Sequence, residues 1–160
     1  MKYFLGIDGG GTKTKINIID ENNNIVFEKT GGPSSIDTVN IDETNKIILD
    51  LCSSIPFQVS SIHAGIGGVY LDKDIENIIQ ILKQINNVTD DCKYSASNDV
   101  NNLFDACFNN DGIVLISGTG SVCYGQYNNQ TYKCGGYGYK EGDLGSGFSI
   151  GHKLLSIATR

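Results

Sequence analysis

The chain has 160 residues, which is enough for one or two domains with a buried core. Its net charge of −6 and sequence pI of about 4.7 argue against nucleic acids and anionic membranes as partners. No apolar run is long enough to span a bilayer, and the N-terminus shows no signal-peptide pattern. We therefore expect a cytoplasmic protein without a membrane or nucleic-acid partner.

The cysteine pattern supports the same compartment. The five cysteines are odd in number and contain no CxxC pair; they are Cys52, Cys92, Cys107, Cys123 and Cys134. This usage predicts free thiols in a reducing compartment and no zinc site.

The first informative stretch runs from Tyr3 to Asp20. The apolar run Tyr3–Ile7 predicts a strand that is buried on both faces and ends at Asp8, and residues 14–18 alternate like a second strand. The turn at residues 9–12 is Gly-Gly-Gly-Thr, so we expect a β-hairpin whose glycines supply positive φ. The excess of glycine suggests that another group approaches the backbone closely, and exposed N–H groups in such a turn suit phosphate. It is not a P-loop, because Thr12 stands where lysine is required and no helix follows.

The following residues alternate between helical and strand patterns. In chain order, we predict a strand at Ile25–Glu28, a loop at Gly31–Ser35, a helix at Ile41–Ser54, a strand at Ser61–Gly67, a helix at Asp72–Asn86, a weak strand at Tyr94–Ser97 and a helix that starts at Asn98 or Asp99. The order β-β-β-α-β-α-β-α predicts an α/β fold with a mixed five-stranded sheet and helices on its faces.

The pattern then restarts with a buried apolar run at Gly112–Ile116, a second glycine turn at residues 117–121 and a strand at Val122–Tyr127. Two strand–glycine–threonine–strand units suggest two phosphate-binding hairpins that face each other across a cleft. Two unrelated tight hairpins are the alternative.

A third glycine cluster, Cys134–Gly151, leads into an apolar helix at Phe148–Ala158. We therefore predict one domain at residues 1–110 and the beginning of a second domain at 111–160. Because that second unit has only one hairpin, a loop and a helix, we expect the chain to be a fragment of a longer protein.

Three stretches carry a resemblance to a known family: LGIDGGGTKTK, ISGTGS and GGYGYKEGDLGSGFSIG. They resemble the N-acetylglucosamine kinase branch of the BadF/BadG/BcrA/BcrD ATPase family, and they occur in the family's order over almost the whole chain. The resemblance implies two ribonuclease-H-like (actin-like ATPase) domains, of which the second is truncated here. It also implies an ATP-dependent transferase that moves the γ-phosphoryl group of ATP to a hydroxyl of N-acetylglucosamine or a related amino sugar.

The resemblance also implies roles for individual residues. Asp99 aligns with the catalytic aspartate that takes the proton from the sugar hydroxyl, although a helix N-cap is its structural alternative. Asp8 would position Mg²⁺ through water. The residues implied to hold the ATP phosphates are Gly9, Gly10, Gly11, Thr12, Lys13, Gly118, Thr119 and Gly120. Those implied to contact the sugar are Ser35, Gly136, Tyr137, Gly138 and Asp143. The implied ligands are ATP, Mg²⁺ and an amino sugar, and a homodimer is compatible with the resemblance.

Two residues depart from the family pattern. Leu144 replaces an acid that usually follows the residue matching Asp143, and Ser35 stands where an asparagine is common. Polar groups discriminate strongly between sugars, so glucosamine and N-acetylmuramic acid remain alternatives to N-acetylglucosamine.

Two other functions stay open. One is a 2-hydroxyacyl-CoA dehydratase-activating type of ATPase, which needs cysteines for an iron–sulfur cluster; Cys107 and Cys134 are the candidates. The other is a non-catalytic sugar- or nucleotide-sensing module, which Leu144 favours. We expect the 160-residue chain alone to be inactive or very weak, because phosphoryl transfer needs both halves of the site.

Overall fold

The structure is a computed structural model that describes residues 1–107, 111–118, 120–128, 130–138 and 140–159. The chain divides into two compact units, Met1–Asn102 and Leu103–Arg160. The expectation of two domains that meet at residue 110 stays a prediction.

The first unit contains a mixed five-stranded sheet with the order β3-β2-β1-β4-β5. Its strands are β1 (Tyr3–Gly9), β2 (Thr14–Asp20), β3 (Ile25–Gly31), β4 (Val59–Ile66) and β5 (Val88–Ser97). The first three strands form an antiparallel meander, and β4 and β5 run parallel to β1. This arrangement confirms the predicted mixed sheet and the predicted order of elements.

Helices α1 (Ile41–Cys52) and α2 (Asp72–Leu82) connect these strands, and α3 (Asp99–Cys107) follows β5. Helix α1 begins after Asn40, whose Oδ1 accepts the Glu43 N–H at 2.9 Å and so satisfies one of the free donors of the first turn. Apolar residues at helical spacing, such as Ile48 on α1 and Ile78 on α2, are fully buried against the sheet.

The core lies on one face of the sheet. Leu5 and Ile7 of β1 are buried, whereas Gly6 and Asp8, which alternate with them, are exposed. The expectation that β1 is buried on both faces is therefore wrong. The apolar run predicted a strand correctly, but alternate side chains of a strand point to opposite faces, and α1 and α2 cover only one of them.

The second unit contains an antiparallel sheet of β6 (Gly112–Ser117), β7 (Ser121–Tyr127) and β8 (Gln130–Gly135), followed by α4 (Gly147–Ala158). Strand β8 was not predicted. The expectation that β6 is buried is also wrong, since Ile113 and Leu115 are each 70% exposed.

Among the helices that the structure describes, none is both long and apolar enough to cross a membrane.

Candidate functional site

The first glycine turn is hydrogen-bonded to two neighbouring loops. The Gly10 carbonyl accepts the backbone N–H groups of Ser34 and Ser35 at 3.1 and 3.2 Å. The Gly9 carbonyl accepts the Gly67 N–H at 2.8 Å. These bonds hold the turn, the loop after β3 and the loop after β4 together at one end of the strands of the first sheet. In α/β folds, ligands bind at this end, beyond the carboxyl ends of the parallel strands.

The glycines of this turn serve close packing rather than unusual backbone angles. None of Gly9, Gly10 and Gly11 has a positive φ, so the expectation that they supply positive φ is wrong. A Cβ atom on Gly9 would overlap the Ser34 hydroxyl and the Ile66 side chain, and one on Gly11 would lie 2.9 Å from the Thr38 hydroxyl. Glycine is needed because the adjacent loops approach the turn this closely.

The tip of the turn presents free backbone donors. Gly11, Thr12 and Lys13 are exposed, and the N–H groups of Gly11 and Thr12 donate to no oxygen atom of the described residues. The Gly10 N–H is used differently, because it donates to the Lys13 carbonyl at 3.0 Å and closes the turn. Two adjacent N–H groups without a protein acceptor can bind an anion.

Asp8 lies at the entrance of the turn with an exposed carboxylate. Its register partner on β2 is Lys15, but the Lys15 Nζ lies 2.8 Å from Oε2 of Glu28 instead. Asp8 therefore forms no salt bridge within the described part of the chain. A single carboxylate suits Mg²⁺, which keeps several waters and takes further oxygens from phosphates. No group of three metal-binding side chains occurs among the described residues, so the protein contributes no complete metal cage there.

Asp99 stands in the first turn of α3, directly after β5. The capping contact is made by its neighbour Asn98, whose Oδ1 accepts the Val100 N–H at 3.1 Å. Oδ2 of Asp99 lies 3.4 Å from the position of a Cβ on Gly67, so the carboxylate stands over the loop that is bonded to the glycine turn. Burial raises the pKa of Asp99, and the negative charges of Asp8 and Asp37 raise it further.

Ser35 and Asp99 both lie beside the same glycine, Gly67. Ser35 is 5% exposed, and its hydroxyl lies 2.8 Å from the position of a Cβ on Gly67. A side chain larger than hydrogen at residue 67 would collide with Ser35 before it met Asp99. The structure thus brings these two predicted residues together around one backbone position.

Sequence reasoning missed Asp37. Its carboxylate packs against Gly68, which has a φ of +84°, and a Cβ there would lie 2.7 Å from the Asp37 Cγ. Asp37 is exposed, and its charge acts on Asp99. No spacing along the chain relates residue 37 to residue 99, so only the folded structure reveals the pair.

The second glycine turn is fastened to the start of α4. The Gly118 N–H donates to the Gly120 carbonyl at 2.8 Å, and the Gly118 carbonyl accepts the Gly147 N–H at 2.8 Å. No atom of the described residues lies within 4 Å of a Cβ position on Gly118, and its φ is not positive. Thr119, predicted to bind phosphate, lies outside the described residues.

Asp143 lies beside this second turn. Its Oδ2 is 2.8 Å from the position of a Cβ on Gly120, while its Oδ1 is buried and has no hydrogen-bond partner among the described residues. Asp143 is not the N-cap of α4, because Ser146 accepts the Ser149 N–H at 3.1 Å. A buried carboxylate oxygen without a donor is costly, so this atom is suited to accept a hydrogen bond from a ligand.

The third glycine cluster forms a loop after β8. Gly136 and Gly138 have φ values of +68° and +90°, which only glycine adopts easily. Tyr137 between them is 62% exposed, with the Lys133 Nζ 5.0 Å from its ring centroid. Leu144 is 85% exposed beside Asp143.

The predicted site residues thus fall into two groups. In the first unit, the structure gathers the loops that carry residues 8–13, Ser35 and Asp99. In the second unit it gathers Gly118, Gly120 and Asp143, and it places Gly136, Tyr137 and Gly138 on the loop after β8. Their roles in binding and catalysis stay predictions.

Comparisons with known proteins bear on this arrangement. The chain is 31% identical to an N-acetylmuramic acid/N-acetylglucosamine kinase of Clostridium acetobutylicum, over all of this chain and 54% of that protein. It is 29% identical to an N-acetyl-D-glucosamine kinase of Dictyostelium discoideum, over 96% of this chain and 53% of that protein. The chain therefore spans about half the length of these curated relatives.

Its fold is shared with a crystal structure from Chromobacterium violaceum that is assigned as an N-acetylglucosamine kinase. The TM-score is 0.73 at 23% identity, with 99% of this chain and 57% of that chain covered. The predicted α/β fold class is thereby confirmed. Residues 5–160 match one protein family, which is nearly the whole chain. The chain belongs to the BadF/BadG/BcrA/BcrD ATPase family.

Proposed function

We propose that the protein to which this chain belongs is an ATP-dependent kinase of amino sugars. It transfers the γ-phosphoryl group of ATP to a hydroxyl of N-acetylglucosamine or a related amino sugar, with Asp99 as the base. The curated relatives named above support the sugar class, and membership in the ATPase family supports ATP.

The observation that carries this proposal is the position of Asp99. A half-buried carboxylate with a raised pKa stands over Gly67, and Gly67 is hydrogen-bonded to the glycine turn that presents free N–H groups. A proton acceptor beside an anion-binding turn is the arrangement that phosphoryl transfer to a hydroxyl requires. Asn98 already accepts the Val100 N–H through its own side chain, so capping of the helix does not by itself require an acid at residue 99.

Each residue of the first unit then has a defined task. The N–H groups of Gly11 and Thr12 hold phosphate oxygens, and the exposed Asp8 carboxylate holds a magnesium ion through water. The ion supplies neutralisation of phosphate charge when it is bound. Asp99 accepts the proton of the attacking hydroxyl, so that the oxygen becomes a better nucleophile as the phosphoryl group is transferred. Ser35 packs beside this position and contacts the sugar.

The second unit supplies further groups. The turn at Gly118 and Gly120 approaches phosphate, since nothing within the described chain accounts for glycine at residue 118. Asp143 accepts a sugar hydroxyl at its unpartnered Oδ1, and Tyr137 with its glycine neighbours contacts the sugar ring. The exposed Leu144 cannot accept a hydrogen bond, which changes the choice of sugar relative to proteins with an acid there.

The test is ADP release by the complete protein with N-acetylglucosamine, glucosamine and N-acetylmuramic acid. At least one sugar should stimulate ADP release in the presence of Mg²⁺. Asp99→Asn should lower kcat by about 10²–10⁴-fold, the usual contribution of a general base.

The matched control is Asp42→Asn, which removes an exposed acid from the first turn of α1 and so changes the charge equally. It should retain full turnover. Unchanged turnover in Asp99→Asn would remove Asp99 from the mechanism. Absence of stimulation by every amino sugar, together with tight binding of one of them, would favour a sensing module instead.

A further inference from the structure

Two cysteines face each other across the β7–β8 hairpin. Cys123 of β7 and Cys134 of β8 are direct register partners. Side chains of directly opposed residues in an antiparallel pair point to the same face of the sheet. Both residues also line one cavity of about 540 Å³, which places their side chains on the same open surface.

The hydrogen-bond pattern of the hairpin gives the spacing of the pair. The Gly136 N–H donates to the Ser121 carbonyl at 2.9 Å, which marks residues 121 and 136 as a hydrogen-bonded pair. Such pairs recur every second residue along each strand, so Cys123 and Cys134 form the next one. Their Cα atoms are therefore about 5.5 Å apart, within the range of about 4.4–6.8 Å found in disulfides.

Neither cysteine is part of a disulfide, and a reagent can reach both. Cys134 is exposed, Cys123 is half-buried, and each is a free cysteine. The other cysteines whose side chains the structure describes are less suited to reaction. Cys52 is buried, and burial raises the pKa of its thiol to about 12. Burial also raises the pKa of Cys92. The thiolate is the reactive form, so these two sites should react slowly.

We propose that Cys123 and Cys134 form a reversible modification site at which small-molecule disulfides, such as oxidised glutathione, create an intrachain disulfide bond. The proposal concerns covalent chemistry of the hairpin and does not depend on the proposed kinase activity.

The reaction balances as two successive exchanges. The Cys134 thiol loses its proton, and its sulfur attacks one sulfur of oxidised glutathione; a protein–glutathione disulfide forms and one glutathione leaves. The Cys123 thiol then loses its proton and attacks the Cys134 sulfur, which releases the second glutathione. The two cysteines are oxidised by two electrons, and glutathione disulfide is reduced to two glutathione molecules that take up the two protons.

The strand geometry predicts that this bond is readily reduced. Opposed Cβ atoms in a sheet lie about 4.5–5.5 Å apart, and those of a hydrogen-bonded pair lie toward the upper end, whereas a relaxed disulfide needs about 3.5–4.5 Å. The strands must close by up to about 1 Å, so the bond stores strain. Strained, exposed disulfides are labile, which distinguishes this site from a structural disulfide.

In the experiment, the 160-residue chain is treated at low concentration with oxidised glutathione. The product is then studied by intact-mass analysis and non-reducing peptide mapping. We expect a loss of about 2 Da without a glutathione adduct, a peptide linkage between residues 123 and 134, and return to the starting mass on addition of excess reduced glutathione. Failure of excess reduced glutathione to reverse the bond would contradict the predicted strain.

Variants make the assignment specific. Cys123→Ser and Cys134→Ser should each abolish the 2-Da loss, and Cys134→Ser should also lower glutathione uptake because it removes the more exposed thiol. Cys92→Ser, which removes a cysteine outside the hairpin, should leave the loss intact. The proposal is overturned if the treated chain carries only glutathione adducts, if the linkage joins other cysteines or two chains, or if either hairpin variant still loses 2 Da.

Discussion

The Asp99 carboxylate is half-buried and lies near two other acids. Burial is the main reason for its raised pKa, and Asp8 and Asp37 add to it by repulsion. A base of this kind loses activity as the pH falls through its pKa, because the protonated acid cannot accept another proton. A raised pKa moves this loss of activity to a higher pH and makes the carboxylate a stronger base.

Asp37 offers a direct test of this electrostatic coupling. Asp37→Asn removes one negative charge near Asp99 without changing the size of the side chain. The pKa of Asp99 should fall, and the acidic limb of the kcat/KM profile should move to lower pH, by less than about one unit because the exposed Asp37 is screened by solvent. The measurement is the pH profile of sugar phosphorylation by the complete protein. Asp42→Asn is the control; a profile that stays in place in Asp37→Asn would show that residue 37 does not act on the base.

At the scale of single elements, the two glycine turns differ in what surrounds them. A Cβ on Gly9 would overlap side chains of adjacent elements, whereas a Cβ on Gly118 would meet no described atom within 4 Å. The first turn therefore needs glycine for packing. No described atom explains glycine in the second turn, and in the proposed function a phosphate group approaches there.

This contrast predicts opposite effects of one substitution. Gly9→Ala should destabilise the fold by about 1–3 kcal/mol, the usual cost of overpacking, which corresponds to a fall in Tm of several degrees. Gly118→Ala should leave Tm unchanged within about 1 °C, yet raise the KM for ATP, because the added methyl group occupies space intended for the ligand. Thermal unfolding and ATP titration of both variants provide the measurements. An unchanged KM in a stable Gly118→Ala protein would contradict the phosphate role of the second turn.

Strand prediction succeeded where a strand was apolar and failed where it was not. Strand β5 extends from Val88 to Ser97, but only Tyr94–Ser97 was expected. It is an edge strand, and its first half contains exposed polar residues such as Asp90 and Asp91, which give no hydrophobic pattern. Strand β8 was missed for the same reason, since five of its six residues are exposed. A local sequence pattern detects which residues are buried. These two segments form strands because they hydrogen-bond to a neighbouring strand, and a local pattern does not show that pairing.

Only some residues of the candidate site were predictable from the sequence. A glycine-rich turn after an apolar run is a local signal, and it pointed to a phosphate-binding turn at residues 9–12, whereas the roles predicted for Asp8 and Asp99 came from the resemblance to the family. The contact of Asp37 with Gly68 depends on how two distant loops meet, which no spacing in the sequence encodes. The reason for glycine at residue 9 was equally inaccessible, because Ser34 and Ile66 come from other parts of the chain.

At the scale of the whole molecule, the second unit exposes many large apolar side chains. Ile113 and Leu115 of β6 are 70% exposed, and Leu154, Leu155 and Ile157 of α4 are 65–67% exposed. Extended apolar surface of this kind marks interaction sites or causes aggregation. The curated relatives that the chain matches are nearly twice as long.

The 160-residue chain alone should therefore bind a hydrophobic dye, associate at micromolar concentration and show little kinase turnover compared with the complete protein. Dye fluorescence, light scattering and ADP release measure the three properties. Leu115→Lys should reduce the dye signal, while Ile25→Lys, which alters an exposed apolar residue of the first unit, should leave it nearly unchanged. A monodisperse, dye-negative chain with full turnover would contradict the expectation.

The bonds from Gly10 to Ser34 and Ser35 have a consequence for the kinetics of the complete protein. One carbonyl joins the turn proposed for the nucleotide to the segment proposed for the sugar, so neither can shift without straining the other. Binding of either substrate should restrict the motion of both segments. The second substrate then causes a smaller loss of conformational entropy when it binds. The two substrates should then bind synergistically: the apparent KM for the sugar should fall as the ATP concentration rises, and the reverse dependence should have the same magnitude when both are measured as equilibrium affinities.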